Sequence, residues 1–363
     1  MLKYLNEFRE PVVISHYLDK IKKLVPSYKT NIMEICGGHT LTIVKYGLKN
    51  LLPEQIKLIS GPGCPVCVTP QGYIDKALEL CKIPDVIITS FGDMLRVPGS
   101  YSSLAREKAR GADVRVCLSI MDAIEIARSY TDKQVVFLGI GFETTAPTIA
   151  FAIKTAYMQN LQNFSVLSAL KTIPNAMQAL MDSGETDIKG FICPGHVTTI
   201  TGTGIYEYLV NKYGMPCVVS GFEPIDMLCS IFMIIAQLAD GNSKVENQYK
   251  RSVKPEGNKR AIALINEIFA MQDTEWRGLG VIPKSGLAVR DLYADFDATR
   301  KYSIKIPEVK HNNNCICGAV MRGIKEPIDC SLFASKCTPH NPVGACMVSA
   351  EGSCGIYYKY GNH

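Results

Sequence analysis

Three clusters of residues in this 363-residue chain have the types and spacing that metal or redox chemistry needs. The first is Cys36-Gly37-Gly38-His39-Thr40, which places a thiol close to an imidazole. Thiolate and neutral imidazole both bind iron or zinc, and the glycines let the backbone approach a ligand closely. The pattern predicts a metal-binding or catalytic site at Cys36, His39 and Thr40. The alternative is a buried cysteine beside a histidine that caps a helix.

The second cluster is Cys64-Pro65-Val66-Cys67, which follows a Gly-Pro-Gly turn. A Cys-x-x-Cys pair brings two sulfur atoms close enough for a disulfide or for a shared metal ion. A thiol at a helix N-terminus also has a lowered pKa and is the more nucleophilic of such a pair. We therefore predict that Cys64 and Cys67 are a redox-active dithiol or metal ligands. The alternative is a pair of structural core cysteines.

The third cluster lies near the end of the chain, where six of the 14 cysteines are found. They are Cys315, Cys317, Cys330, Cys337, Cys346 and Cys354. A [4Fe–4S] cluster and a structural zinc ion each take four thiolates. Ordinary zinc sites have two tight Cys-x-x-Cys-like pairs, which this segment lacks. The spacing therefore favours an iron–sulfur cluster, with zinc or plain redox thiols as alternatives.

Two further candidates are Glu143, in the run Gly-Phe-Glu-Thr-Thr, and His196, in the run Pro-Gly-His. Each follows an apolar run typical of a strand. Because ligands of open α/β sheets bind beyond the carboxyl ends of the strands, we predict a catalytic role for both residues. Around Glu143 the alternative is a strand-to-helix junction in which Thr145 caps the helix and Pro147 starts it. For His196 the alternative is a structural imidazole.

Short apolar runs rich in β-branched residues alternate with helix-like stretches through the centre of the chain. The runs are residues 56–59, 86–88, 114–118, 135–138, 191–192 and 218–219, and the helix-like stretches are 74–81, 121–129 and 147–159. Unbroken apolar runs are typical of parallel strands buried on both faces. Gly-Phe-Glu follows such a run twice, as in a weak internal repeat. We predict an α/β protein with two similar parallel-sheet lobes and a Cys-rich iron–sulfur C-terminal unit packed with N-terminal helices.

The expected domain organisation has four parts. They are N-terminal helices in 1–35 that pack with the C-terminal unit, a first α/β lobe in 36–130 with Cys36 and the Cys-x-x-Cys pair, a second α/β lobe in 131–240, and a linker, a helix and the Cys-rich [4Fe–4S] unit in 241–363. The polar stretch 240–257 predicts the linker, and 259–271 predicts the helix.

Composition bounds the class of protein. Hydrophobic residues make up 47% of the chain and charged residues 20%, which excludes a disordered chain. The net charge is +5 and no long basic run occurs, so the charge pattern does not indicate binding to nucleic acid or to an anionic membrane. The first ten residues do not resemble a secretory signal, and the most apolar run, 226–240, is too short to span a bilayer. We expect a cytoplasmic protein, in which reducing conditions disfavour structural disulfides.

These motifs, in this order, resemble the HypD family, whose members help to build the iron centre of [NiFe] hydrogenases. The matching stretches are Cys36–Thr40, Gly61–Cys67, Gly141–Thr145, Pro194–Val197 and the tail from Cys337 to Cys354, so they cover nearly the whole chain. One departure is Leu41, which stands where the first motif of the family often has a second histidine.

The resemblance implies a metallocentre assembly scaffold that works with other proteins. A small HypC-like partner would help to hold Fe(II) as transient cargo while CN and CO ligands are attached to make Fe(CN)2CO. A HypE-like protein would donate cyanide, and the finished group would pass to the hydrogenase large subunit. In this sequence, Cys36 would be the iron thiolate with His39 close by, and Cys64 and Cys67 would be the redox dithiol.

The resemblance also implies which cysteines bind the resident [4Fe–4S] cluster. The spacing Cys317-x12-Cys330-x6-Cys337-x16-Cys354 is the one typical of the family, which leaves Cys315 and Cys346 as spare thiols or a second redox pair. Two other functions remain open at this point. One is a stand-alone iron–sulfur-dependent thiol–disulfide oxidoreductase, which would not need Cys36. The other is a zinc-stapled binding module without redox chemistry.

Overall fold

The structure is a computed structural model, and it describes residues 6–306 and 314–361. The strands are β1 (Thr30–Glu34), β2 (Ile56–Ser60), β3 (Val86–Ser90), β4 (Val114–Val116), β5 (Gln134–Gly141), β6 (Phe164–Leu170), β7 (Ile188–Pro194), β8 (Cys217–Ser220), β9 (Val245–Asn247), β10 (Phe269–Trp276) and β11 (Gly280–Val289).

The helices surround these strands. They are α1 (Pro11–Leu24), α2 (Gly37–Lys45), α3 (Pro65–Val68), α4 (Gln71–Leu80), α5 (Leu104–Ala109), α6 (Ile120–Ser129), α7 (Ala146–Met158), α8 (Ile173–Ser183), α9 (Gly195–Thr201), α10 (Glu207–Tyr213), α11 (Pro224–Asp240), α12 (Lys259–Ile268), α13 (Ala298–Lys301), α14 (Cys317–Met321) and α15 (Ser353–Tyr360). Short 3-10 turns occupy Asn6–Arg9, Leu48–Leu51, Gly92–Arg96, Thr203–Tyr206, Asp291–Phe296, Pro327–Asp329 and Ala345–Met347.

Two parallel sheets form the frame of the molecule. Sheet A has the strand order β2-β1-β7-β8-β9, and sheet B has the order β4-β3-β5-β6. Every pairing within these two sheets is parallel. Strand β5 is buried along all but its first residue, as expected for a strand covered on both faces. The predicted α/β class with two parallel-sheet lobes is confirmed.

The strands do not follow the predicted lobe boundaries, however. Sheet A joins β1 and β2 to β7, β8 and β9, whereas sheet B uses only strands between Val86 and Leu170. The ranges 36–130 and 131–240 therefore each give strands to both sheets. Local alternation of strands and helices does not determine which strands become neighbours, and this is why the lobe assignment needs correction. The division of the chain into four domains otherwise stays a prediction.

One packing prediction and the predicted linker also need correction. Helix α1 packs against α11. The C-terminal helix α15 packs against α2, which lies outside the range 1–35 in which we predicted the N-terminal helices. Of that range, residues 1–5 lie outside the described residues, as do 307–313 and 362–363 of the last range. The predicted linker 240–257 contains β9, which pairs with β8 and completes sheet A.

An antiparallel hairpin of β10 and β11 was not predicted from the sequence. The predicted helix 259–271 ends at Ile268, and the chain continues directly into β10. Half of the residues of β10 are exposed, and buried and exposed positions do not alternate regularly, so no strand pattern marks it. Its last residue, Trp276, is fully buried, stacks on Phe142 at 5.9 Å between ring centres and donates its indole N–H to Ser285 Oγ at 2.8 Å.

Throughout residues 6–306 and 314–361, no helix has both the length and the apolar character that crossing a membrane requires.

Candidate functional site

A cleft of about 460 Å³ lies at the carboxyl ends of both parallel sheets. Its wall is formed by residues that follow five of the parallel strands and by one segment of the C-terminal unit. They are Ile35 and Cys36 after β1, Gly63, Pro65 and Val66 after β2, Phe91–Met94 after β3, Phe142, Thr144 and Thr145 after β5, His196 and Val197 after β7, and Ser349, Ala350 and Glu351 from the C-terminal unit. Parallel strands of one sheet end at the same edge, so turns distant in sequence meet there. The structure thus brings Cys36 and His196 to one cavity.

Cys36 is the N-cap residue of α2, and its side chain lines the cleft with 9% of its surface exposed. Its backbone N–H donates to Glu34 Oε2 at 3.0 Å. Burial raises the pKa of the Cys36 thiol to about 12, and the nearby Glu351 carboxylate adds to this rise. The free thiol is therefore protonated at neutral pH, and a metal ion that binds there must displace the proton.

Glu34 is a site residue that the sequence analysis missed. Its carboxyl group is buried behind Cys36, where it accepts the Cys36 backbone N–H and the Thr40 hydroxyl. Burial raises the pKa of Glu34 to about 8. Thr40 thus orients this carboxyl group and does not line the cleft. An acidic residue directly after the apolar pair Ile32-Met33, two residues before a cysteine, was the signal that could have identified Glu34.

His39 lies beside the ring of Phe222 and not on the cleft wall. Its imidazole is fully buried, stacks on Phe222 with 4.8 Å between ring centres and places Nε2 3.3 Å from the carbonyl oxygen of Ser220. Burial lowers the pKa of His39 to about 4, so the ring is neutral at pH 7. Nδ1 is buried without a hydrogen-bond partner in the described part of the chain. A role of His39 as an iron ligand stays a prediction.

His196 stacks on the same Phe222 ring, with 3.9 Å between ring centres, and is exposed on the cleft wall. Desolvation lowers its pKa, so the neutral imidazole is favoured. A neutral imidazole exposed to the cleft can accept or donate a proton there. This geometry agrees with the predicted catalytic role of His196 but does not test it.

Glu143 is buried below the cleft wall, although Phe142 and Thr144 on either side of it line the cavity. Its Oε1 accepts the backbone N–H of Ile173 at 2.9 Å, at the start of α8. Burial raises the pKa of Glu143 to about 7. This contact favours a positioning role at the start of α8, while its catalytic role stays a prediction. Thr145 occupies the N-cap position of α7 as expected, but its side chain makes no capping hydrogen bond.

Cys64 and Cys67 form a disulfide. Cys64 is the N-cap residue of α3, and its Sγ accepts the backbone N–H of Cys67 at 3.1 Å. The preceding residue, Gly63, accepts the Gly37 backbone N–H at 3.3 Å, next to Cys36. The disulfide helix α3 therefore begins directly beside the thiol on the cleft wall.

The close approach at Gly63 leads to a stability prediction. A Cβ atom at this position would overlap the backbone of Ile35 and Cys36, which cannot move aside as a flexible side chain would. We expect Gly63→Ala to lower the free energy of unfolding by roughly 1–3 kcal/mol, the usual cost of overpacking. Denaturant titration monitored by circular dichroism measures this change.

Gly204→Ala is the matched control, because a Cβ atom at Gly204 meets nothing within 4 Å. Its free energy of unfolding should stay within about 0.5 kcal/mol of the unsubstituted protein. Equal stability of the two variants would contradict the close approach between Gly63 and Cys36.

The six C-terminal cysteines line one small enclosed pocket of about 20 Å³, here called the six-cysteine pocket. Its other walls are mainly apolar, from Val320, Leu332, Phe333 and Met347. The Val343 backbone N–H donates to Cys337 Sγ at 3.3 Å. Cys346 lies in the turn Ala345–Met347, which packs against α3. The pocket therefore adjoins the helix that carries the Cys64–Cys67 disulfide.

The donor set of this pocket fits an iron–sulfur cluster. Soft thiolates select such clusters, and a [4Fe–4S] cluster takes four of them, each on a different iron. Thiolates that bind such a cluster would be arranged around it and would not converge on one point. In the part of the chain that the structure describes, no three Cys, His, Asp or Glu side chains are grouped so that they could hold a single metal ion.

Comparison with known proteins identifies the family. Residues 12–361 match the family described as "HypD: Hydrogenase formation hypA family". The chain is 44% identical over 369 residues to Hydrogenase maturation factor HypD of Cupriavidus necator, and the matched region covers 99% of this chain and 97% of that protein. It is 44% identical over 369 residues to the HypD of Rhizobium leguminosarum bv. viciae, with 99% and 96% covered. It is 43% identical over 368 residues to the HypD of Azotobacter vinelandii, with 99% and 97% covered. The chain belongs to the HypD family.

Proposed function

We propose that this chain is a hydrogenase maturation scaffold that holds iron in the cleft while CN and CO ligands are attached to make Fe(CN)2CO. The observation that carries the proposal is the position of the Cys36 thiol, which lines an open cleft directly beside the Cys64–Cys67 disulfide. The thiol proposed to bind iron and the disulfide proposed as a two-electron redox pair are thus next to each other. The relatives named hydrogenase maturation factors support the same role.

The cleft offers the iron substrate only part of a ligand set. Cys36 supplies one thiolate to the wall, while His39 is buried against Phe222 and Glu34 faces the backbone behind Cys36. The cleft of about 460 Å³ is wide enough to admit a segment of a second protein beside the iron. These features support a small HypC-like partner that completes the coordination of the iron in a shared complex.

The disulfide pair suits the delivery of cyanide. Release of cyanide from a thiocyanate takes two electrons and gives a thiolate and a cyanide ion. Oxidation of the reduced Cys64–Cys67 pair to the disulfide yields two electrons and two protons, so the pair balances this step with a HypE-like cyanide donor. A [4Fe–4S] cluster bound in the six-cysteine pocket would supply electrons one at a time.

We propose Cys317, Cys330, Cys337 and Cys354 as the cluster ligands, with Cys315 and Cys346 as a second thiol pair. All six thiols lie around the same pocket, so none is too distant for either role. Cys346 is the member whose turn packs on α3, which suits a thiol that exchanges electrons with the disulfide.

Single substitutions test this assignment. Each of the four ligand cysteines changed to alanine should abolish the broad absorbance near roughly 400 nm of anaerobically reconstituted protein, because a missing thiolate leaves one iron without protein ligand. Iron and acid-labile sulfide should fall together with the absorbance.

Cys315→Ala and Cys346→Ala are the controls and should keep the cluster. An intact cluster in Cys330→Ala would refute the ligand assignment. Unsubstituted protein that is colourless and holds stoichiometric zinc would favour the zinc-stapled binding module over the scaffold.

A further inference from the structure

We infer that Arg277 is a positioning residue that joins the disulfide helix α3 to the six-cysteine pocket and directs an unused N–H group towards sulfur in that pocket. The inference rests on the proposed function, because it assigns a residue between the two redox centres proposed there. Arg277 lies at the tip of the β10–β11 hairpin, immediately after the buried Trp276.

The first observation is that Arg277 holds the end of α3. Its backbone N–H donates to the carbonyl oxygen of Val68 at 2.8 Å, and its Nε donates to the carbonyl oxygen of Thr69 at 2.8 Å. Carbonyl groups at the end of a helix have no donor within that helix. Because α3 is a single turn, these two bonds fix the segment that carries both Cys64 and Cys67.

The second observation is that the same residue faces two of the C-terminal cysteines. Arg277 lines a cavity of about 390 Å³ together with Cys315 and Cys317. One guanidinium group thus contacts the disulfide helix and lines the same cavity as two thiols of the six-cysteine pocket.

The third observation is an unpaired donor. Nη2 of Arg277 is buried and has no hydrogen-bond partner among the described residues. Nearly all buried N–H groups in native proteins are paired, so this one indicates an acceptor that the protein atoms do not supply. The sulfur atoms of a bound cluster are acceptors of the required kind, and negative charge on them would strengthen the bond.

Arg322 provides a matched comparison. It lines the same cavity, and its Nε is also buried without a hydrogen-bond partner among the described residues, but this atom lies 3.0 Å from a carboxylate oxygen of Glu185. Its Nη1 donates to the Gly278 carbonyl oxygen at 3.0 Å. Its charge is therefore compensated by a carboxylate, and it makes no contact with α3 like those of Arg277. Loss of Arg322 removes a positive charge from the cavity without releasing the disulfide helix.

The test uses anaerobic, cluster-loaded protein with Arg277→Gln, Arg277→Lys and Arg322→Gln. Reduction of the disulfide to two thiols consumes two electrons, supplied singly by reduced methyl viologen, and two protons from the solvent. We expect Arg277→Gln to shift the cluster reduction potential to a more negative value, because a positive charge that stabilises the reduced form is lost. Thiols at Cys64 and Cys67 should form about tenfold more slowly, the factor for one charge-assisted hydrogen bond.

Hydrogen exchange of residues 64–69 is the readout that does not depend on electron transfer. Exchange in this segment should rise in Arg277→Gln and also in Arg277→Lys, since an ammonium group lacks the planar fork that reaches Thr69. Arg277→Lys should keep most of the reduction potential, because it keeps the charge. Arg322→Gln should resemble the unsubstituted protein in thiol formation and in hydrogen exchange of residues 64–69, because Arg322 makes no such contact with α3.

Two outcomes separate the inference from the proposed function. Cluster-loaded Arg277→Gln with unchanged potential, thiol formation and hydrogen exchange overturns the inference and leaves the scaffold function intact. Unsubstituted protein that takes up no iron and sulfide on reconstitution overturns the proposed electron source, and the contact between Arg277 and pocket sulfur falls with it.

Discussion

Cys36→Ser is expected to abolish iron binding in the cleft while the fold and the C-terminal cluster remain intact. Serine is nearly the same size as cysteine, so the buried N-cap position of α2 is kept. A hydroxyl group is a poor ligand for the soft iron site that thiolate serves. Hydrogenase activity in cells that rely on this protein should fall by more than about 100-fold. Loss of a residue that only hydrogen-bonds to a metal ligand already lowers metal affinity or activity by up to roughly that factor.

Infrared spectra of the complex with the partner give the direct measurement. The CN and CO stretching bands should be present with the unsubstituted protein and absent with Cys36→Ser. Cys81→Ser is the control, because Cys81 is a half-buried free thiol at the end of α4 and does not line the cleft. Full activity of Cys36→Ser would exclude the scaffold role and favour the stand-alone thiol–disulfide oxidoreductase, which needs only Cys64 and Cys67.

The local elements were predictable where burial leaves a clear pattern in the sequence. Strands β3, β5 and β8 contain unbroken apolar runs, because both of their faces are covered and few positions need polar side chains. Strand β6 was missed because serines interrupt its apolar residues, although Ser165 is buried. The order of strands in each sheet depends on long-range pairing, which no local pattern contains.

The candidate site shows the same division between local and long-range information. The glycine-containing turn after an apolar run predicted that His196 lies at a strand end, and His196 lines the cleft. Proximity in sequence suggested that His39 accompanies Cys36, but Cys36 is an extended N-cap residue whereas His39 is in the helix. Their side chains therefore leave the backbone in different directions. Partners such as Phe222 and Arg277 come from distant segments, and no motif near Cys36 or Cys64 could indicate them.

The two cysteines of α3 are expected to differ strongly in reactivity once the disulfide is reduced. Sγ of Cys64 accepts the Cys67 backbone N–H at 3.1 Å and lies at the start of α3, and both features favour the thiolate form. Cys67 is within the helix and is almost fully buried. In Cys67→Ser the thiol of Cys64 should react with iodoacetamide roughly 10–100 times faster at neutral pH than the thiol of Cys67 does in Cys64→Ser.

Peptide mass spectrometry separates these two thiols from the other cysteines and gives each rate as a function of pH. The paired variants control for the loss of the disulfide, because each keeps one thiol and the backbone N–H of residue 67. Equal rates, or a faster Cys67, would show that the N–H contact does not activate Cys64. A reactive Cys64 next to Cys36 would make it the thiol that meets the incoming cyanide donor, with Cys67 closing the disulfide. Hydrogenase maturation should then be lost in both variants, although only Cys67→Ser keeps the activated Cys64 thiol.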